Sequence, residues 1–463
     1  MLLVTIDTLR YDRLSIYGYR GQETPRLDAI GRDGAVFEQA VCDVPWTSAS
    51  MASVFTGRYA TYHGVQLGTD RLSDDAVTLA EVARDHGYRT AGFIGSFPLA
   101  SVYNLSQGFE TYDEHLDTPM VPFPPGQKPD FPDVKAIPPV DLGDADTFGP
   151  YFAQKIFNDA IRTDDAVTDA AARWLRAHHE KPFLLWVHYF GPHERGYLKE
   201  TAEQAAARIP TEYDGDLAFT DAQVGRLVRK LDTLGLRDRV LLIVHADHGQ
   251  SLGENGYVGH GENLYSPSLR IPLLVRWPGR IRAGVRMSGW VENVDIFPTV
   301  LHALGIGAGP PLDGRDLLGF LLQASSGTHR LPARRPAYSE TYLPTVFERR
   351  IDTPDGWLIG RLFHRGLLTE GRMYVTTEVK PPCAKGDHSE TSDEFCRSIR
   401  VERLFAPLAD PQGLTDLAKR ERDTLARFRR LLEPYRNIVG LHKEAANLDA
   451  KAREKLRALG YVW

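Results

Sequence analysis

The chain reads as an α/β protein built on a doubly wound sheet, and three features of the sequence carry that reading. Apolar strands alternate with amphipathic helices over the first 330 residues, which is the pattern of a sheet covered by helices. The strands Leu2–Ile6, Phe183–Phe190 and Val240–Ala246 are nearly continuous apolar runs, as expected where both faces of a sheet are buried. Two of them run straight into a carboxylate, Asp7 and Asp247. Ligands of such sheets bind at the carboxyl ends of the strands, so topology alone can bring two acids distant in sequence close together.

The elements follow in order. Thr24 and Pro25 start a helix, with Thr as N-cap, Pro at the first helical position, and Leu27 and Ile30 facing inward. Thr78–His86 is a second helix, with Leu79, Val82 and Ala83 inward and Gly87 as its stop. A strand is expected over Arg89–Gly95 and a long Pro- and Asp-rich surface loop over Asp113–Gly149. Asp164–His178 is helical, with Ala166, Ala170 and Trp174 in one stripe and Val167, Ala171 and Leu175 beside it. Glu212–Leu236 is an amphipathic helix burying Leu217, Val224, Leu227 and Leu231. Beyond residue 330 the pattern changes to short strands and turns, then a helix around Leu414–Leu432. The expected organisation is a catalytic domain over 1–330, a smaller α+β subdomain over 331–440 and a helical tail over 441–463.

The composition is that of a globular chain: of 463 residues, 42% are hydrophobic and 25% charged, enough for a sizeable core. A net charge of -6 without a basic run argues against nucleic acid as the partner. No apolar stretch has transmembrane length. A core strand that starts at residue 2 has nothing before it to tie it down, so a missing N-terminal stretch is expected. Export is then open, and a cytoplasmic location otherwise. Cys42 lies in an apolar context and reads as a small buried residue. Cys383 and Cys396 flank a polar loop and are equally consistent with a disulfide and with two thiols. Oligomeric state is not legible.

Candidate chemistry sits in four places. Asp247-His248-Gly249 sets a carboxylate and an imidazole at the end of a buried strand, a donor set for one divalent metal. On its own such a pair is more often a capped turn; with Asp7 at a second strand end the metal reading gains equal weight. Pro45–Arg58 reads as a loop entering a helix with hydroxyls at its start, where a hydroxyl near the positive helix end favours an alkoxide and an anionic substrate. The competing reading is an ordinary N-cap. Gly259-His260-Gly261 shapes a loop around an imidazole, or is an exposed loop. His188, inside the Phe183 strand, reads as a satisfied core histidine, and His193, just past the strand end, is better placed to reach a ligand.

Taken together these residues resemble the sulfatase family of the alkaline phosphatase superfamily. The resemblance covers the chain to about residue 330 and rests on Thr5-Ile6-Asp7-Thr8-Leu9-Arg10-Tyr11-Asp12, Thr24-Pro25-Arg26-Leu27-Asp28, Phe55-Thr56-Gly57-Arg58-Tyr59 with His63-Gly64, Pro192-His193, Asp247–Gly256, Gly259-His260-Gly261, Leu269–Leu273 and Asp295-Ile296-Phe297-Pro298-Thr299. It implies a central mixed, largely parallel sheet sandwiched by helices, with a small C-terminal sheet domain. It also implies a metal held by Asp7, Asp247 and His248 with the nucleophile as a further ligand, and His193 and His260 contacting the transferred group or protonating the leaving group. The chain departs from sulfatases at the nucleophile. Their Cys or Ser, oxidised to formylglycine and followed by x-Pro-Ser-Arg, falls on Thr47, with Ala49, Ser50 and Met51 at the next positions. Ile94-Gly95-Ser96-Phe97 stands where a Lys-Trp-His stretch is usual, and Gly191 where a relative often has Asp before Pro-His. Thr as nucleophile looks like the phosphoryl-transferring relatives.

The expectation is therefore a hydrolase or transferase of anionic phosphate or sulfate esters. It uses Thr47, with His260 or His193 as acid, and one divalent metal. Zinc or manganese suits a mixed carboxylate and imidazole set, with calcium and magnesium open and a second metal unsupported by any clear ligand set. A true sulfatase without formylglycine and a catalytically silent binding protein are the alternatives.

Overall fold

The computed structural model describes residues 1–117, 160–193, 202–254, 258–307, 309–332, 336–342, 349–353, 356–369, 371–380, 399–410, 415–436, 440–441 and 444–458. Most of the 113–149 loop, together with Cys383 and Cys396, lies outside them.

The central sheet holds strands β1 (Leu2–Ile6), β2 (Ala35–Val41), β3 (Arg89–Phe93), β4 (Thr111–Asp113), β5 (Phe183–Tyr189), β6 (Leu242–His245), β7 (Arg270–Arg276), β8 (Val285–Ser288), β9 (Val291–Glu292) and β10 (Gly327–Arg330). They run in the order β10-β8-β2-β7-β6-β1-β5-β3-β4, with β9 also paired to β2. All pairs are parallel except those of β7, which runs antiparallel to both β6 and β2. The sheet is thus mixed and largely parallel, as the resemblance implies. Because β7 is reversed against both neighbours, β2 runs in the same sense as β1. The carboxyl ends of β1, β2, β5 and β6 open on one edge.

Helices cover both faces. On one, α1 (Pro25–Arg32), α4 (Asp164–His178) and α5 (Ala202–Thr233) pack together; on the other lie α2 (Thr47–Thr56), α3 (Leu79–Asp85) and α6 (Ile296–Leu304). Helix α4 spans the expected residues and buries Val167, Ala170, Ala171, Trp174 and Leu175. Helix α3 carries a complete capping box between Thr78 and Glu81. Helix α1 starts at Pro25, but the Thr24 side chain caps nothing, because its hydroxyl donates to Asp28. Asp221 of α5 instead accepts from the N–H groups of Arg26 and Leu27, a cap supplied from across the helix layer. Helix α5 begins ten residues ahead of the expected Glu212 and runs through Pro210. The expected Leu414–Leu432 helix is Arg422–Arg436, α7.

A second, antiparallel sheet follows: β11 (Ala337–Thr341), β12 (Arg349–Thr353), β13 (Gly356–Leu368), β14 (Met373–Lys380) and β15 (Ile399–Phe405), with β13 at the junction of the pairings. Tyr338, Leu367, Tyr374 and Leu404 of this sheet pack with Phe428, Leu432 and Tyr435 of α7 and with Tyr59 and Val294 of the main body. Cys42 is fully buried, its thiol against the Ser268 carbonyl. Among the described residues no helix is long and apolar enough to cross a membrane.

Candidate active site

Three strand ends and one helix start build the site. Asp7 leaves β1 and Asp247 leaves β6, which are neighbouring parallel strands. Past β2, Cys42–Trp46 lead into α2, whose first residue is Thr47. Trp46, not a hydroxyl residue, is the N-cap, and it makes no side-chain cap bond. The Thr47 hydroxyl is therefore not spent on capping. The helix continues through Ala49, Met51 and Ala52, good helix formers, and ends at Gly57, which takes the left-handed conformation a Cβ would resist.

Asp7, Asp247 and His248 each place a ligand atom within 4.8 Å of the others, and all three are buried. His248 Nδ1 donates to the Gly249 carbonyl at 2.9 Å. The ring therefore presents Nε2 as its lone pair, the tautomer a metal ligand needs. That Nε2 lies 3.1 Å from Thr47 Oγ1, 3.5 Å from Asp247 Oδ2 and 3.8 Å from Asp7 Oδ1. Both Asp7 oxygens and Asp247 Oδ2 are buried without a hydrogen-bond partner among the described residues. Asp247 Oδ1 accepts from the N–H groups of Thr8 and His248. Thr8 holds φ at 56°, a strained setting for a β-branched residue, and this aims its N–H at that carboxylate.

The electrostatics follow from burial. Desolvation, then the charges of Asp247 and Asp164, raise Asp7 well above the usual carboxylate range. Desolvation also raises Asp247, against the opposing pull of His248 and of hydrogen bonds that include the Thr47 hydroxyl. Two buried acids held side by side, with oxygen lone pairs that no hydrogen-bond donor engages, beside an imidazole nitrogen and a hydroxyl, form a group that could hold a divalent cation. These residues fit such an ion.

His260 and His193 complete the cluster. The His260 ring stands 4.3 Å from that of His248 and 5.1 Å from that of His193, with Trp46 at 6.5 Å. The Gln250 amide oxygen accepts from His260 Nδ1 at 2.8 Å, which makes Nε2 the titrating atom. Burial, then His248 and His193, hold His260 well below the ordinary histidine value. Phe190 stacks on His193 at 4.6 Å. All six residues singled out in the sequence thus lie in one cluster.

Residues 1–306 match the family model named Sulfatase. The chain belongs to the sulfatase family. Membership makes it a sulfatase-like ester hydrolase and accounts for its alkaline phosphatase-like fold. Among its relatives are rat (Rattus norvegicus) steryl-sulfatase, 25% identical over 99% of this chain and 89% of that protein, and human (Homo sapiens) arylsulfatase A, 28% identical over 83% and 77%. The phosphonate monoester hydrolase of Agrobacterium radiobacter shares the fold, with a TM-score of 0.65 and 19% identity over 94% of each chain.

Several supporting residues of this sulfatase-family site were not legible in the sequence. Ser50 Oγ donates to the Asp247 carbonyl at 2.6 Å and accepts from Asn293 Nδ2 at 2.7 Å, so α2, β6 and the segment after β9 are tied at one point. Gln250, which orients His260, likewise carried no signal of its own. The spacing of Gly259-His260-Gly261 from Asp247 was the one trace of that pairing. His188 is buried as expected of a core histidine, but it is not satisfied: neither ring nitrogen has a hydrogen-bond partner among the described residues.

Proposed function

We propose that this sulfatase-family chain cleaves phosphate or sulfate esters of an alcohol through a covalent ester on Thr47, with phosphorus esters the first choice. The observation that carries the reading is the Thr47 hydroxyl, first in a buried helix, 3.1 Å from His248 Nε2 and beside the buried Asp247 carboxylate. Asp7, Asp247 and His248 would hold a divalent cation with Thr47 as a further ligand, and the mixed set favours zinc or manganese over calcium and magnesium. Such an ion, when bound, supplies a Lewis acid that favours the alkoxide and offsets charge on the ester oxygens.

The chain's own residues account for the rest. Thr47 is a weak nucleophile as a free alcohol, and its place at the start of α2 puts it near the positive helix end. Its oxygen attacks phosphorus or sulfur as its proton passes to the Asp247 carboxylate beside it, a Thr47 ester forms, and the bond to the alcohol breaks. His260 or His193 donates the proton to the departing oxygen. Burial keeps His260 neutral in the free protein; an anionic ester against the ring opposes that shift and favours the protonated form. Water then cleaves the Thr47 ester, or a second alcohol takes the group instead.

Phosphorus is preferred because the methyl group on the Thr47 β-carbon prevents oxidation to the formylglycine aldehyde. The second reading, a sulfuric ester hydrolase that uses Thr47 directly, is favoured by the relatives that carry sulfatase names. Rates for aryl phosphodiesters, phosphomonoesters, phosphonates and sulfates on one sample of measured metal content separate the readings. A phosphorus ester turned over fastest supports the first and a sulfate the second. Failure to turn over any of them would leave a binding protein and overturn both.

A further inference from the structure

His188 lies mid-strand in β5, opposite Thr5 of β1, and is 0% exposed. Side chains two apart on a strand share a face, so Trp186 and His188 point the same way, as do Thr5 and Asp7. Trp186 Nε1 donates to Thr5 Oγ1 at 3.1 Å, so the two faces are one. On that face His188 Nε2 stands 3.8 Å from Asp7 Oδ2. The other Asp7 oxygen, Oδ1, is the one that faces His248 Nε2. His188 thus meets the Asp7 oxygen that does not face His248, and it does not join the group formed by Asp7, Asp247 and His248.

We infer that His188 is a positioning residue for Asp7: its Nε2–H holds Oδ2 and so turns Oδ1 toward Asp247 and His248, where the cation is held. The inference rests on the cation reading above. A buried imidazole with no hydrogen-bond partner lowers stability, and an apolar residue of similar size would pack in its place without that cost. The neighbouring His245 makes the contrast plain. It is equally buried and also opposite Thr5, yet its Nε2 meets Thr5 Oγ1 at 2.9 Å and its Nδ1 the Ala246 carbonyl at 2.8 Å. The structure satisfies one histidine and leaves the other against a carboxylate that itself lacks partners. Closing the gap to hydrogen-bond distance takes a shift of roughly 1 Å. Metal-ligating carboxylates are normally held by such an outer partner, and its loss weakens metal binding by about 10- to 100-fold.

The test uses the full chain and its His188→Leu, His188→Gln and Asp7→Asn variants. Zinc and manganese affinity is measured by competition with a chromophoric chelator, and Tm is measured with the metal removed. His188→Leu is expected to lose about 10- to 100-fold in metal affinity while its metal-free Tm is equal to or above that of the parent. His188→Gln, whose amide N–H reaches a similar point, recovers most of the affinity. Unchanged affinity in His188→Leu overturns the inference. So does a lowered metal-free Tm, or failure to fold, with no recovery in His188→Gln, since both mark a packing role. If the parent binds no cation, or Asp7→Asn binds as the parent does, the cation reading itself has failed and the inference goes with it.

Discussion

Asp7 and Glu340 are both carboxylates removed from water, at 1% and 0% exposure, and their surroundings are opposite. Glu340, on β11, accepts from the Thr61 N–H, the Thr61 hydroxyl and the hydroxyls of Tyr338 and Tyr342. The two bonds from Thr61 tie the second sheet to the main body. Asp7 accepts from nothing among the described residues, and its neighbours include another buried acid. A charge taken from water has to be compensated, and Glu340 carries its compensation within the fold. Asp247 has part of that compensation in the Thr8 and His248 N–H groups, Asp7 has none among the described residues, and this contrast motivates the cation reading proposed above.

The comparison breaks first, and most heavily, at the nucleophile. Thr47→Ala should lower kcat by at least about 10⁴-fold in an ester-hydrolysis assay while leaving Tm nearly unchanged; full activity in that variant would remove Thr47 from the mechanism. Asp247→Asn comes next. Loss of a ligand should weaken divalent-metal affinity by more than the roughly 100-fold expected of an outer partner, read by chelator competition.

Stability should then separate the two acids by sign. Glu340→Gln puts an amide N–H against fixed donors and should cost about 2–3 kcal/mol in urea unfolding. Asp7→Asn, measured in chelator, removes one of two repelling buried charges and should raise stability. Equal losses in both would mean that Asp7 is a structural residue like Glu340.

A weaker effect appears in the pH dependence of the metal-free protein. Asp7 and Asp247 titrate above their unfolded values when folded, because of burial first and neighbouring charge second. The folded state thus binds more protons, and the stability these groups contribute is complete below about pH 4 and lost as pH rises through their folded values. Urea unfolding in chelator should show that decline, and the Asp7→Asn/Asp247→Asn double variant should flatten it. Smallest of all, Thr78→Ala, in neither region, should remove the α3 capping box at a cost of about 1 kcal/mol with kcat unchanged.

Much of the fold could be read from local pattern. The apolar runs ending in Asp7 and Asp247 sat where the sheet edge sits, and α4 matched residue for residue, because its periodicity is a property of a short window. The reversal of β7 was invisible, since a continuously apolar strand looks the same in either direction. Helix α5 starts ten residues before the expected Glu212 and holds Pro210 in its interior, where a proline ordinarily interrupts a helix. At the site, the carboxylates, histidines and hydroxyl that cluster were legible as motifs. Ser50–Asn293, Gln250–His260 and Asp221 at the start of α1 were not, because each is a single hydrogen bond between segments that only tertiary structure brings together. His188 was misread for the same reason: a core histidine and an unsatisfied one have the same sequence context, and only the missing partners distinguish them.

A crystal structure of the full chain grown with manganese or zinc, with the ion located by anomalous scattering, bears most directly on all of this. The expected result is one ion bound by Asp7, Asp247 and His248, with the Thr47 oxygen within about 2.0–2.6 Å of it. An ion-free cluster at saturating metal, with the Thr47 hydroxyl turned back to cap α2, would contradict the account.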